Sequence, residues 1–245
     1  MRETNANRNF TQRQNRRKMN FEEFEMTKKL ALILFGLMLF SLATDAQTVK
    51  DKKKTNQRPK TATPKAVAIE TYEKADVKKM SEQCVTLETE AGNIEIELFP
   101  ESAPESVRNF LNLAATKALD TTTFNRVVPN FVIQGGDLST NEKWNLELSK
   151  RAAKSVVDEP NQIKHERGIV SMARAETPNS ATTNFFILLG TATHLDGSFA
   201  AFGRVVKGLE VAEAINKMPV EGEKPIKPVK INRALIAPCA PKTQP

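Results

Sequence analysis

From Val85 onward the chain alternates apolar and polar residues in short runs separated by turn signals. This pattern restricts the fold more than any other feature. Val85 and Leu87 alternate with polar neighbours, as do Ile94, Ile96 and Leu98, and Ala91-Gly92-Asn93 lies between the two runs. Period-two alternation around a glycine turn predicts a β-hairpin. Ser102-Ala103-Pro104-Glu105 has the spacing of a capping box, and Val107, Phe110, Leu111 and Ala114 then mark one face of an amphipathic helix. Further apolar stretches fall at 124–134, 168–174, 184–190, 200–206 and 229–237, and a second helix is predicted over 208–218, with Val211, Ile215 and Met218 on one face. Short strands broken by turns, with few helices, predict a mainly β barrel or sandwich. Thirteen Phe against one Trp and one Tyr fit a Phe-lined core.

The first third of the chain has a different texture. Leu30 to Ala43 reads LALILFGLMLFSLA, an apolar run too short to span a bilayer comfortably. Lys28 and Lys29 precede it and the small residues Ala43 and Ala46 follow, the order of a secretory signal peptide. Residues 26–46 are therefore expected to be a signal peptide cleaved after Ala46, with Gln47 the first mature residue. Glu22, Glu23 and Glu25 do not suit the basic start of such a segment. Residues 1–25 are accordingly read as a mis-assigned extension, with Met26 the expected start. Residues 47–82 are polar and Lys-rich and read as a flexible tail, with a short helix open near Ala75–Gln83. The expectation is a protein exported to a periplasmic or extracellular location, monomeric, with no membrane span after cleavage.

The formal net charge of +7 does not imply nucleic acid. Residues 83–245 carry eighteen Lys/Arg and nineteen Asp/Glu, so the basic excess belongs to the segments before the domain, and no specific nucleic-acid binding is expected. Two Cys and two His, the full count of such ligands in the chain, argue against a structural zinc site, which would need all four. His165 and His194 lie far apart and are read as having no acid/base partner, and Asp158-Glu159 is read as a solvated loop rather than a catalytic carboxylate pair.

Four blocks in order carry a resemblance to a known family. Phe124-Asn125-Arg126 through Phe131-Val132-Ile133-Gln134-Gly135-Gly136 resembles the cyclophilin signature, which reads Phe-His-Arg, a hydrophobic stretch and Phe-Met-x-Gln-Gly-Gly. Gly168 to Ala175 resembles the family's Gly-x-Leu-Ser-Met-Ala strand, and Ser180 to Ile187 its Ser-Gln-Phe-Phe-Ile block. Leu195-Asp196-Gly197 followed by Phe202-Gly203-Arg204-Val205 is the fourth match. The resemblance extends more weakly from Val85 to Ile236. It implies an eight-stranded antiparallel β-barrel capped by two α-helices, occupying 83–245, with peptidyl-prolyl cis-trans isomerase activity and no cofactor.

What the resemblance implies for the site follows residue by residue. Arg126 would be the catalytic donor to the prolyl nitrogen. Phe131, Val132, Phe186 and Leu195 would form the proline pocket, and Gln134 would hold a substrate carbonyl and orient Arg126. The Ala173-Arg174-Ala175 backbone and Asn184 would hold the peptide extended, with Asn125 and Phe199 completing the contact surface. Asn125 and Phe199 stand where the family carries His and His or Tyr, Asn184 where it carries Gln, Val132 where it carries Met, and His194 where many members carry Trp. The expected partners are proline-containing segments of client proteins. A catalytically weak proline-binding chaperone or scaffold is the alternative these departures leave open. Cys84 and Cys239 bracket the domain, and the terminal strands expected for such a barrel would bring them close enough for a disulfide.

Overall fold

The computed structural model describes residues 70–239. The expected extension 1–25, the signal segment 26–46 and residues 47–69 of the expected tail lie outside the described residues. The last part of that tail is packed. Tyr72 N–H donates to Asn112 Oδ1 at 2.8 Å, Arg108 donates to the Tyr72 and Ala75 carbonyls, and Met80 is fully buried. The short helix α1 (Val77–Ser81) starts at Asp76, whose carboxylate accepts from Lys79 N–H.

β1 (Gln83–Thr89) and β2 (Gly92–Leu98) form the expected hairpin, with Thr89 facing Gly92. Glu90 and Ala91 make the turn, slightly earlier than the sequence suggested, because Thr89 Oγ1 accepts from Ala91 N–H and donates to the Gly92 carbonyl. α2 (Pro104–Ala115) follows. The expected capping box does not form: the helix begins at Ala103 with no local side-chain cap. Glu159 caps it instead, accepting from Glu105 N–H at 2.9 Å, Ser106 N–H at 2.8 Å and Ser106 Oγ at 2.7 Å. Glu159 is therefore not a solvated loop carboxylate.

β3 (Thr123–Phe124), β4 (Arg126–Val128) and β5 (Val132–Gly135) come next, then α3 (Leu146–Ala152), β6 (Ile169–Met172), β7 (Phe185–Leu188), β8 (Ala201–Lys207) and α4 (Leu209–Asn216). A small hairpin of β9 (Val220–Glu221) and β10 (Lys224–Pro225) precedes the last strand, β11 (Val229–Pro238). The main sheet has nine strands in the order β3-β11-β1-β2-β8-β6-β7-β5-β4, antiparallel throughout. Its two edges, β3 and β4, are consecutive in the chain and separated only by Asn125, whose N–H donates to the Gln134 carbonyl at 3.1 Å. They act as one interrupted strand that pairs β11 on one side and β5 on the other. The sheet thus curls into a nearly closed barrel, and nine short strands amount to the eight expected. Four α-helices rather than two occur among the described residues: α1 and α3 are short and largely exposed, while α2 and α4 bury the apolar faces anticipated.

The barrel is filled by one large core. Phe110 of α2 packs edge-on against Phe185 (5.2 Å between centroids) and tilted against Phe202 (5.1 Å), and Phe124 meets Phe185 at 6.3 Å. Offset and edge-on ring contacts of this kind are the favoured aromatic geometries. Cys84 and Cys239 are joined by a disulfide with Cα atoms 4.9 Å apart, because β1 and β11 pair antiparallel from Gln83↔Pro238 onward. No helix among the described residues is long and apolar enough to cross a membrane.

Candidate active site

β7 explains why a site exists on the outside of this barrel. Its sequence Phe185-Phe186-Ile187-Leu188 is buried at every position. A strand shows alternate side chains to opposite faces. Phe185 and Ile187 enter the barrel core, whereas Phe186 and Leu188 join a second apolar cluster with Val132 and Ala192 on the outer face. Val128, Phe131, Ile169, Ala173, Leu195 and Phe199 pack against that cluster. Sequence reasoning named Phe131, Val132, Phe186, Leu195 and Phe199, and the structure brings them together.

The strand register aligns the polar groups with this patch. Arg126 faces Gln134, Gln134 faces Phe186, and Phe186 faces Ser171, a row running across β4, β5, β7 and β6. Directly opposed residues of antiparallel strands share a face, so Arg126 and Gln134 lie beside the apolar pocket. Arg126 Nη1 donates to Gln134 Oε1 at 3.2 Å. Arg126 Nε donates to Glu223 Oε2 at 2.6 Å. That hydrogen bond, and then the charge of Arg126, hold the Glu223 carboxyl below the usual carboxylate range. Sequence reasoning missed Glu223, which nothing local ties to Arg126.

The rim is built from backbone. Ala173 N–H donates to the Asn184 carbonyl at 2.9 Å, joining the two segments expected to hold a peptide. Arg174 places its guanidinium carbon 5.0 Å from the Phe199 ring centre and donates to the Ala175 and Ser198 carbonyls, which braces this wall. Ala175 is exposed at its end. Phe131 stacks on His194 with centroids 6.0 Å apart, and Phe199 meets Phe186 edge-on at 6.1 Å. Asn125 Nδ2 donates to Asp137 Oδ2 at 3.2 Å, while its Oδ1 is buried without a partner. Gly136 must be glycine: its φ is +85°, and a Cβ there would lie 2.3 Å from the Thr183 carbonyl oxygen.

Behind the pocket lies a group whose partners the sequence did not reveal. His165 is 1% exposed, with Nδ1 3.2 Å from Asp196 Oδ1 and Nε2 3.0 Å from Ser171 Oγ. This geometry puts the ring proton on Nδ1 and leaves Nε2 to accept from Ser171. Burial pushes the His165 pKa below its ordinary value, against the opposing pull of Asp196. The arrangement has the residue types of a nucleophilic triad, but Ser171 is fully buried and has no access to substrate. It is a support: His165 also accepts Ala192 N–H at its carbonyl and donates its own N–H to Asp196, which fixes the segment carrying Leu195. Among the described residues no group of three or more His, Cys, Asp or Glu is placed to hold a metal ion.

Comparison with known proteins agrees with this fold. A family model described as cyclophilin type peptidyl-prolyl cis-trans isomerase/CLD matches residues 84–236. The chain is 38% identical over 158 residues to a peptidyl-prolyl cis-trans isomerase of Acinetobacter baylyi, covering 60% of this chain and 81% of that protein. It is 36% identical over 156 residues to the peptidyl-prolyl cis-trans isomerase cypE of Dictyostelium discoideum, covering 63% of this chain and 98% of that one. A crystal structure of a Cryptosporidium parvum cyclophilin-type isomerase, determined in the presence of the dipeptide Ala-Pro, superposes with a TM-score of 0.56 at 31% identity, over 63% of this chain and 98% of that chain.

Proposed function

The chain belongs to the cyclophilin-type peptidyl-prolyl cis-trans isomerase family, and we propose that Arg126 is its catalytic residue and that its clients are proline-containing segments of unfolded, exported polypeptides. The protein is a peptidyl-prolyl cis-trans isomerase. Rotation about an X-Pro bond breaks amide resonance against a barrier of roughly 20 kcal/mol and takes tens of seconds unaided. In the twisted transition state the prolyl nitrogen regains its lone pair. A donor aimed at that nitrogen bonds it only then, so its binding energy lowers the barrier instead of stabilising the ground state.

The observation that carries the site assignment is Arg126 held by two partners beside the pocket of Phe131, Phe186, Leu195 and Phe199. The apolar patch takes the proline ring. The Gln134 oxygen, already accepting from Arg126, leaves its amide to donate to a substrate carbonyl. Ala173, Arg174 and Ala175, with Asn184 beside them, receive the peptide in an extended conformation. Rotation about the amide bond makes and breaks no covalent bond, so no acid/base step is required.

Arg126→Ala should lower the isomerisation rate of a prolyl tetrapeptide at least about tenfold, the low end of a charge-assisted hydrogen bond. The fold should survive, since the side chain is 38% exposed. A folded variant with unchanged activity would remove Arg126 from the mechanism. Export is supported by the Lys28–Ala46 pattern and by the disulfide between Cys84 and Cys239, a bond that persists in oxidising compartments.

A further inference from the structure

Gly222 and Glu223 form the tip of the β9–β10 hairpin, between the pairs Glu221↔Lys224 and Val220↔Pro225. Gly222 has φ +64°, which suits the tight turn. Pro225 is buried, and Ile226 N–H donates to the Pro219 carbonyl at 3.0 Å, closing the base of the arm. The arm is fastened along β4, since the Glu223 carbonyl accepts Val127 N–H at 2.8 Å and Val127 is fully buried. Glu223 is thus held at backbone level one residue beyond Arg126. From there its carboxylate accepts Arg126 Nε–H at 2.6 Å.

We propose that Glu223 is a positioning residue for the isomerase reaction, acting through Arg126; this rests on the reading of Arg126 as the catalytic donor. An arginine with its side chain 38% exposed has many rotamers available. Gln134 fixes one guanidinium nitrogen from β5, and a single hydrogen bond leaves the planar group free to pivot about it. Glu223 supplies a second point on the Nε edge, from the opposite side of β4 and 97 residues away in sequence. Two anchors define the plane and leave the remaining N–H groups for the substrate. An exposed ion pair of this kind adds little to folding stability. Its effect is on where the donors point, and reactions of this kind are sensitive to small misplacements.

The test compares Glu223→Ala, Glu223→Asp and Glu223→Gln with the wild type and with Arg126→Ala, on the full chain. Glu223→Ala removes the acceptor, and Glu223→Asp keeps the charge but withdraws the oxygen by one methylene. Glu223→Gln keeps an acceptor at the same reach without charge. Glu223→Ala and Glu223→Asp should lower kcat about fivefold with KM little changed, because the donor acts in the transition state. Glu223→Gln should retain kcat within about twofold of the wild type. The Arg126 Nε–H resonance should be protected from exchange in the wild type and Glu223→Gln, and lost in Glu223→Ala. Wild-type or raised kcat in Glu223→Ala, or equal losses in all three variants, would overturn the proposal. If Arg126→Ala is itself fully active, the catalytic reading falls. If Arg126→Ala is inactive while Glu223→Ala is intact, only the role of Glu223 falls.

Discussion

Replacing Glu159 by alanine should destabilise the whole domain, although the residue lies in a loop. The backbone donors at the start of α2 can be followed one by one. Pro104 has no N–H, Glu105 and Ser106 donate to Glu159, and Val107 donates to the Ala103 carbonyl at 3.0 Å. The Ser106 hydroxyl, fully buried, donates to the same carboxylate. Losing an N-terminal cap costs roughly 1 kcal/mol. A buried hydroxyl left without its acceptor adds on the order of 1–3 kcal/mol. The negative charge at the positive end of the helix adds about 0.3–1 kcal/mol. Glu159→Ala should therefore lose about 3 kcal/mol, against the ±0.5 kcal/mol or so usual for a surface substitution. Glu159→Gln should recover only part of this, because its amide would face a donor with a donor. Urea unfolding followed by circular dichroism gives both midpoint and slope. A loss below about 0.5 kcal/mol with an unchanged slope would show that water replaces the carboxylate and that the cap is dispensable.

Two further outcomes follow from the buried histidine and the disulfide. His165 is kept neutral, with Asp196 and Ser171 bonded to it and Lys164 and His194 the other charged or titratable groups nearby. Its folded pKa is depressed, so below its ordinary value of 6.5 the unfolded chain binds the proton first and stability falls with pH until the folded pKa is reached. The slope from this one site is at most about 1.4 kcal/mol per pH unit, and its absence from stability curves measured between pH 7 and pH 5, or its persistence in His165→Gln, would contradict the assignment. Protein recovered from the exported fraction without reductant should begin near Gln47 and show no titratable thiol, and Cys84→Ser should lower stability by a few kcal/mol, at most about 5 on the chain-entropy estimate for so long a loop. Two reactive thiols in that material would argue against both the bridge and the oxidising destination.

What could be seen in the sequence was local. The β1–β2 hairpin and the helix faces come from short spacings, and a strand period of two places residues on faces without knowledge of the rest, whereas the Arg126–Gln134 pair comes from the resemblance. The run Phe185 to Leu188 is apolar throughout, so its own pattern does not divide it between core and outer pocket, and only the resemblance puts Phe186 in the pocket. Glu159, Glu223 and the His165–Asp196 pair were invisible for a different reason. Their partners lie 54, 97 and 31 residues away, and a charged residue in a loop looks the same whether it meets water or a helix end. The capping-box expectation failed because Pro104 at the first helical position moved the helix start to Ala103, beyond the reach of Ser102.

The seam at Asn125 also bears on how the molecule comes into being. Strand β11, the last strand of the described residues, lies between β1 and the interrupted strand that carries Arg126. Until it arrives, β1 lacks one neighbour and the barrel cannot be joined at the seam. Pairing across such long stretches of chain is slow, since the entropy of closing the loop must be met before any contact rewards it. The barrel therefore cannot close before β11 has been made, and the seam that carries Arg126 is joined only then. If the chain is exported unfolded, as proposed, a topology that leaves closure to β11 suits that route.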